Sequence, residues 1–119
     1  MLDSVVRKAA NHPEVAKTLC FFAQDPAWSV LYKVWEIVVE DVGNGNYSGG
    51  FPQVVGLGKW VAQSDYENFS TTANTYQASG EADRHAQQST PVKVGVRVLS
   101  LDEGVDFIRQ VLRRWLQTK

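Results

Sequence analysis

Apolar residues recur along most of the chain at the spacing of an α-helix. Residues 2–23 follow this pattern, and Pro13 allows either a break within the segment or a second helix start there. Downstream of the proline, Val15, Leu19 and Phe22 fall on one stripe of the helix. That stripe is predicted to face the core.

The next helical segment is apolar around most of its circumference. Asp25 and Pro26 match an N-cap followed by proline at the first helical position, so a helix is predicted over residues 26–42, with Gly43 ending it. Its polar residues form one narrow stripe: Ser29, Lys33, Glu36 and Glu40. A helix this apolar must be surrounded by protein, either as the central helix of the fold or at a subunit contact.

The segment after this helix is rich in glycine. Residues 43–58 contain six glycines and a proline, which predicts a loop, with Phe51 as its anchor. Regular structure rarely contains so many glycines, because glycine loses more conformational freedom on folding than any other residue. Residues 59–62 are interpreted as the start of a short helix.

A capping box predicts the helix that follows. In the sequence SDYE, Ser64 is the expected N-cap, and Glu67 is expected to reach back to its backbone N–H. This helix should direct Tyr66 and Phe69 inward and fade near Asn74.

A strand-like pattern appears in residues 91–100, where four valines alternate with other residues: Val92, Val94, Val96 and Val98. A single strand must find a partner for its backbone groups. Three alternatives stay open at this stage: pairing with the loop near Val54 and Val55, pairing with its own copy across a dimer axis, or an extended arm.

A second capping box, SLDE at residues 100–103, predicts the last helix. Its apolar stripe has four members: Val105, Ile108, Leu112 and Trp115. The fold class is therefore predicted to be mainly α. We expect a single-domain bundle of four or five helices, with the helix at 26–42 in its centre and one short strand at 92–98 left open.

The overall charge argues against some partners. Twelve basic and thirteen acidic residues give a formal net charge of −1, so no global field attracts nucleic acid or an anionic membrane. The chain has no continuous apolar run long enough to span a bilayer, and its start does not read as a secretory signal. We expect a cytoplasmic protein without nucleic-acid or membrane partners.

Cysteine and tryptophan usage add two expectations. The single cysteine, Cys20, excludes an intrachain disulfide and any multi-thiolate zinc site, and its apolar neighbours predict a buried side chain. Four tryptophans are many for 119 residues, and large aromatic residues are enriched in cores and at subunit contacts. A homo-oligomer, most simply a two-fold dimer, is therefore expected.

A polar stretch, TANTYQASGEADRHAQQ, is the first candidate for a site. On a helix, Asp83 and His85 would point apart, so a local catalytic couple between them is not expected. Arg84 suits the anchoring of an anionic group, and His85 suits hydrogen bonding or proton transfer. The alternative is structural: Arg84 would pair with carboxylates of the central helix, and His85 would pack as a hinge residue.

Three pieces of the chain carry a resemblance: WSVLYKVWEIVVEDVG, ENFSTTANTYQASGEADRHA and FIRQVLRRWL. Together they resemble a group of small bacterial proteins that has no established activity. The resemblance covers scattered parts of residues 27–117 and marks these matching positions: Phe69, Thr72, Ala73, Asn74, Gly80, Arg84 and His85. The chain departs from the group at Asp83 and Ala86, and where alternating valines replace a proline-rich linker.

Three functional hypotheses follow from these residues. The first is a pocket for a small anionic molecule, with or without catalysis, formed by Arg84, His85, Asn74 and Thr72 over Glu36 and Tyr32. The second is a homo-oligomeric interaction module without a ligand. The third is a divalent-metal hydrolase that uses the carboxylates of Glu36, Glu40 and Asp41. No cofactor or metal is assigned, because no second acidic pair shows a compelling pattern.

Overall fold

The computed structural model describes residues 2–23, 25–79 and 96–119, and within them the chain forms six α-helices. In chain order these are α1 (Leu2–Asn11), α2 (Pro13–Phe22), α3 (Trp28–Val42), α4 (Tyr47–Val54), α5 (Gln63–Ser79) and α6 (Leu101–Gln117). They pack around one hydrophobic core, so the prediction of a mainly α bundle is confirmed. The predicted number of four or five helices was too low, because Pro13 starts a second helix and residues 47–54 are helical. No helix in these ranges is long and apolar enough to cross a bilayer.

Pro13 separates the first two helices. His12 has an extended backbone (φ −130°, ψ 100°), and Pro13 follows it in the first turn of α2, where its missing N–H costs no helical hydrogen bond. The second helix start, one of the two alternatives, is therefore confirmed. Val15 is fully buried, and the other two members of its stripe pack against the core.

Cys20 lies on the outer side of α2. It is exposed, so the prediction of a buried cysteine was wrong. The reason is its position on the helix, since it follows Val15 by five residues and therefore lies well away from the stripe that faces the core.

The third helix, α3, is the central helix of the bundle, as one interpretation of its apolar surface predicted. It packs against α2, α4, α5 and α6, and its buried side chains are Trp28, Leu31, Val34, Trp35, Val38 and Val39. Gly43 ends it, as predicted. The predicted start at Pro26 was wrong, because Ala27 has an extended backbone (φ −153°, ψ 149°) and takes the N-cap position in place of Asp25.

A short helix, α4, occupies part of the segment that was predicted to be a loop. Asn46 caps it, and the backbone N–H of Gly49 donates to the Asn46 Oδ1 atom at 3.4 Å. Gly50 lies so close to α3 that an added Cβ atom would overlap the carbonyl oxygen of Val39. The loop prediction was wrong because glycine here permits close helix packing. Phe51 packs against the core, as expected of an anchor.

A tight turn joins α4 to α5. Val55 and Val61 form an isolated parallel bridge, while Gly56 and Gly58 have φ values of 140° and 76°. Glycine adopts such positive φ values at little steric cost, so these two residues shape the turn. The helix start predicted for residues 59–62 was therefore wrong.

The helix α5 begins at Gln63, one residue before the predicted cap. Ser64 therefore lies inside the helix, and the predicted capping box was wrong. The Glu67 side chain instead accepts a hydrogen bond from Gln63 Nε2 at 3.2 Å, one helical turn away. Phe69 is fully buried, as predicted, but the helix continues past Asn74.

Residues 96–100 form an arm that lies against α5. The backbone N–H of Arg97 donates to Asn68 Oδ1 at 2.8 Å, and the backbone N–H of Leu99 donates to Thr72 Oγ1 at 3.1 Å. This part of the chain forms no strand pairing with the described residues, so it matches the extended arm, one of the three alternatives. The rest of the predicted strand lies outside the described residues.

The second capping box is confirmed at the start of α6. Ser100 Oγ accepts from the backbone N–H of Glu103 at 3.2 Å, and Glu103 Oε1 accepts from the backbone N–H of Ser100 at 2.9 Å. The hydrogen bond from the Ser100 backbone and that from the Arg97 side chain hold the pKa of Glu103 below its ordinary value. In the predicted stripe, Val105 is partly exposed and the other three residues are buried.

A polar network ties the far end of α6 to α2 and α3. Asp41 Oδ2 accepts from Trp115 Nε1 at 2.9 Å and from Lys119 Nζ at 2.6 Å. Lys119 Nζ also donates to Glu14 Oε1 at 3.0 Å. Burial lowers the pKa of Lys119, but its hydrogen bonds to these two carboxylates outweigh that effect and raise the pKa above its ordinary value.

Candidate functional site

A cleft opens between α5, the arm at 96–100 and α6, with a volume of about 290 Å³. Its polar lining consists of Asp65, Asn68, Arg97, Glu103, Asp106 and Gln110. Leu99 and Phe107 supply the apolar part of the lining. We call this feature the α5–α6 cleft.

Helical spacing brings the lining residues of each helix to one face. On α5, Asp65 and Asn68 are three residues apart, and both share a side with Thr72, which holds the arm. On α6, Asp106 and Gln110 are separated by one helical turn. The two helices therefore present facing polar stripes, and the arm closes the space between them at one end.

Arg97 crosses one end of the cleft. Its Nη1 atom donates to Glu103 Oε2 at 2.7 Å, while its backbone N–H is held by Asn68. The side chains of Arg97 and Glu103 are 62% and 43% exposed, so the ion pair contributes little to stability. Its main effect is to hold the guanidinium group in one place.

The apolar side of the cleft belongs to the core. Leu99 and Phe107 are 5% and 8% exposed. The Phe107 ring stacks on Phe69 with a centroid distance of 4.5 Å and an interplanar angle of 20°. Because these side chains are packed from below, the floor of the cleft is preformed.

A cluster of three tyrosines, Tyr32, Tyr47 and Tyr66, lies on another face of α5. Trp35 Nε1 donates to the Tyr47 hydroxyl at 2.9 Å, and the rings of Trp35 and Tyr66 are 5.4 Å apart. Burial raises the pKa values of Tyr32 and Tyr47 above their ordinary value. These phenols therefore stay protonated near neutral pH and act as hydrogen-bonding groups.

Three of the sequence-predicted pocket residues lie on or beside this tyrosine cluster. Tyr32 belongs to it, and Glu36 lies one turn further along α3. Burial is the largest effect that raises the pKa of Tyr32, and the negative charge of Glu36 is a smaller one. Asn74 is exposed, and its Nδ2 atom donates to Ser70 Oγ at 3.4 Å. The structure therefore brings Tyr32 and Glu36 together and leaves Asn74 at the edge.

Thr72, the fourth predicted pocket residue in the described ranges, is placed elsewhere. It is 1% exposed, and its hydroxyl accepts the backbone hydrogen bond of Leu99. The side chains of Tyr32 and Ser70 are hydrogen-bonded, and Thr72 follows Ser70 by two residues, so it lies on a different side of α5 from that contact. Thr72 holds the arm and does not join the other predicted residues.

Arg84 and His85, the centre of the predicted pocket, lie outside the described residues. The anion-binding pocket that depends on them therefore stays a prediction.

A second cleft, of about 400 Å³, lies beside the polar network described above. Its lining consists of Asp41, Val42, Gln53, Trp60, Thr118 and Lys119. The two charged groups in this lining pair with each other at 2.6 Å. This pair belongs to a network that joins three helices, so its role is structural. The second cleft therefore offers a ligand fewer unpaired polar groups than the α5–α6 cleft does.

The carboxylates considered for metal binding do not converge. No group of three or more His, Cys, Asp or Glu side chains in the described ranges is arranged to hold a metal ion. Asp41 accepts hydrogen bonds from Trp115 and Lys119, while Glu40 is exposed. The metal-hydrolase hypothesis therefore gains no support from the described residues.

Sequence reasoning missed the α5–α6 cleft. Its signal was present, because Asp65 and Asn68 are spaced to share one helical face, and so are Glu103, Asp106 and Gln110. Such polar stripes also occur on any solvated helix surface. Only the placement of the arm between the two helices distinguishes a cleft from an ordinary exposed face.

No protein-family model, curated protein or solved structure matches this chain. The function is therefore argued from the geometry and chemistry of the described residues.

Proposed function

We propose that the protein binds a small polar molecule in the α5–α6 cleft. One observation carries the proposal: six polar side chains from three segments converge over a preformed floor of Leu99 and Phe107. Binding sites for small molecules combine such apolar packing with a few placed polar groups. The volume of about 290 Å³ suits a ligand of metabolite size.

The test measures the binding of a panel of small molecules through the NMR signals of residues in the cleft. A panel of metabolite-sized amines, carboxylates and sugars is titrated into isotope-labelled protein, and backbone amide shifts are followed by NMR. We expect saturable shifts at Arg97, Leu99 and Phe107. Gln110→Phe, which fills part of the cleft from an exposed position on α6, should weaken binding at least tenfold.

Arg113→Phe is the matched control, because Arg113 is exposed on the same helix and does not line the cleft. It should leave the affinity unchanged. The proposal is contradicted if Gln110→Phe and Arg113→Phe weaken binding equally. It is also contradicted if binding shifts only amides that lie away from the cleft.

A second candidate function is self-association through the turn between α4 and α5. Leu57, at the tip of this turn, has a relative exposure of 103%, the largest among the exposed apolar side chains of the described residues. Contact with another copy of the chain would remove this apolar side chain from water. The tryptophan surplus gives less support than expected, because Trp28, Trp35 and Trp115 are buried in the core.

Leu57→Ser should weaken self-association at least tenfold, because it removes the apolar side chain from the contact. The measurement is sedimentation velocity over a wide range of protein concentrations. Val6→Ser is the control, since Val6 is an exposed apolar residue (60%) on α1, away from the turn. A parent protein that stays monomeric at the highest concentration rules this candidate out.

A further inference from the structure

Several donors of the α5–α6 cleft are engaged within the protein. The Arg97 backbone N–H donates to Asn68, and the Arg97 guanidinium group donates to Glu103 at 2.7 Å. Gln110 Nε2 donates to the backbone oxygen of Trp60 at 3.3 Å. Asn68 Nδ2 and the other N–H groups of Arg97 have no acceptor within the described residues, so the cleft retains both donors and acceptors, and the charge of its lining decides which ligand it favours.

The free acceptors are mostly charged. Within the described residues, the Asp65 carboxylate has no hydrogen-bond or ion-pair partner. Asp106 has one long ion-pair contact, 3.6 Å from Arg109. The side chains of Asp106 and Arg109 are 74% and 58% exposed, and ion pairs at the surface contribute little to stability. Because Gln110 uses its amide nitrogen as a donor, its carbonyl oxygen stays available.

The lining of the cleft carries a net negative charge. Three carboxylates, Asp65, Glu103 and Asp106, line the cleft beside one guanidinium group, and that group is paired with Glu103. A cation would therefore be attracted, and an anion would meet uncompensated negative charge.

A bare metal ion is a poor match for this arrangement. No group of three or more His, Cys, Asp or Glu side chains in the described ranges is arranged to hold a metal ion. An ammonium group needs no such convergence, because it brings three N–H donors that can reach separate acceptors. An aliphatic stem next to that group would lie against the small exposed parts of Leu99 and Phe107, which are 5% and 8% exposed.

We infer that the ligand of the α5–α6 cleft is a small organic ammonium ion with a short aliphatic stem. Its N–H groups donate to the carboxylates of Asp65 and Asp106, and its stem lies against the exposed parts of Leu99 and Phe107. The inference rests on the small-molecule-binding function proposed above and adds the chemical class of the ligand.

The test uses three probes of matched chain length: 1,5-diaminopentane, 1,5-pentanediol and glutarate. Each is titrated into the isotope-labelled protein at neutral pH, and the backbone amides of Arg97, Leu99 and Phe107 are followed. We expect saturable shifts with the diamine and much weaker responses to the diol and to glutarate. Asp65→Asn and Asp106→Asn should each weaken diamine binding about tenfold.

Asp102→Asn is the matched control, because Asp102 is an exposed carboxylate on α6 that does not line the cleft. It should leave diamine binding unchanged. If Asp102→Asn weakens binding as much as Asp65→Asn does, the diamine responds only to general surface charge, and the inference is overturned.

The probes separate two kinds of failure. Glutarate or the diol binding at these amides as tightly as the diamine, or more tightly, overturns the ammonium inference and leaves the proposed cleft function standing. No saturable response at these amides with any of the three probes, or with the wider panel, overturns both.

Discussion

Gly50→Ala is expected to destabilise the fold by about 3 kcal/mol or more, although alanine is the better helix former. An added Cβ atom would overlap the carbonyl oxygen of Val39 and lie 2.9 Å from the backbone nitrogen of Gly43. Both neighbours are backbone atoms, so relief requires the whole of α4 to move away from α3. Equilibrium unfolding in urea, followed by circular dichroism, measures the loss.

The neighbouring glycine provides the control. Gly49 lies in the same helix but is exposed, and the nearest atom to an added Cβ there, Asn46 Cγ, is 3.7 Å away. Gly49→Ala should therefore stabilise the protein by about 0.5 kcal/mol, because it restricts the unfolded chain without a clash. Equal effects of Gly49→Ala and Gly50→Ala would show that helix propensity, and not the close contact with α3, decides the outcome.

Phe69→Ala is expected to cost about 3–5 kcal/mol, the second large effect. Phe69 is fully buried, and its ring lies 6.0–6.2 Å from those of Trp28, Tyr32 and Trp35 in addition to the stacked Phe107. Truncation leaves a cavity at the point where α3, α5 and α6 meet. Urea unfolding monitored by tryptophan fluorescence reports it directly, since two of the neighbours are tryptophans.

Phe69→Leu is the companion variant. It keeps most of the apolar volume and removes only the aromatic contacts, so it should cost about 1–2 kcal/mol. The same substitutions should also affect the α5–α6 cleft, because Phe69 supports Phe107 in its floor. A loss below about 1 kcal/mol for Phe69→Ala would mean that the core closes over the cavity and that Phe69 does not organise it.

The sequence predicted those features of the helices that depend on residues close together along the chain. Pro13 and the capping box at Ser100 act within one helical turn, so their effects are readable without the fold. The apolar surface of α3 likewise indicated a helix enclosed by protein. These features could be read from the sequence because the groups involved lie within one or two helical turns of each other.

Errors arose where a residue has more than one use. Glycine in residues 43–58 suggested flexibility, but Gly50 serves close packing against α3. Ser64 matched a capping box, but the helix starts one residue earlier. Cys20 has apolar neighbours in sequence, but it lies on the outer side of α2. In each case the local sequence is compatible with both the predicted and the observed structure. The packing of the surrounding residues in space decided between the two.

The candidate site shows the same division most clearly. The sequence by itself determined a mainly α chain with a central apolar helix, because both follow from periodic burial and local hydrogen bonding. Only the tertiary structure decided that Thr72 holds the arm while Asp65 and Asp106 face a common cleft. Asp65 and Asp106 are 41 positions apart in the chain, and nothing in their spacing specifies that packing against Phe69 and the arm brings their helices together.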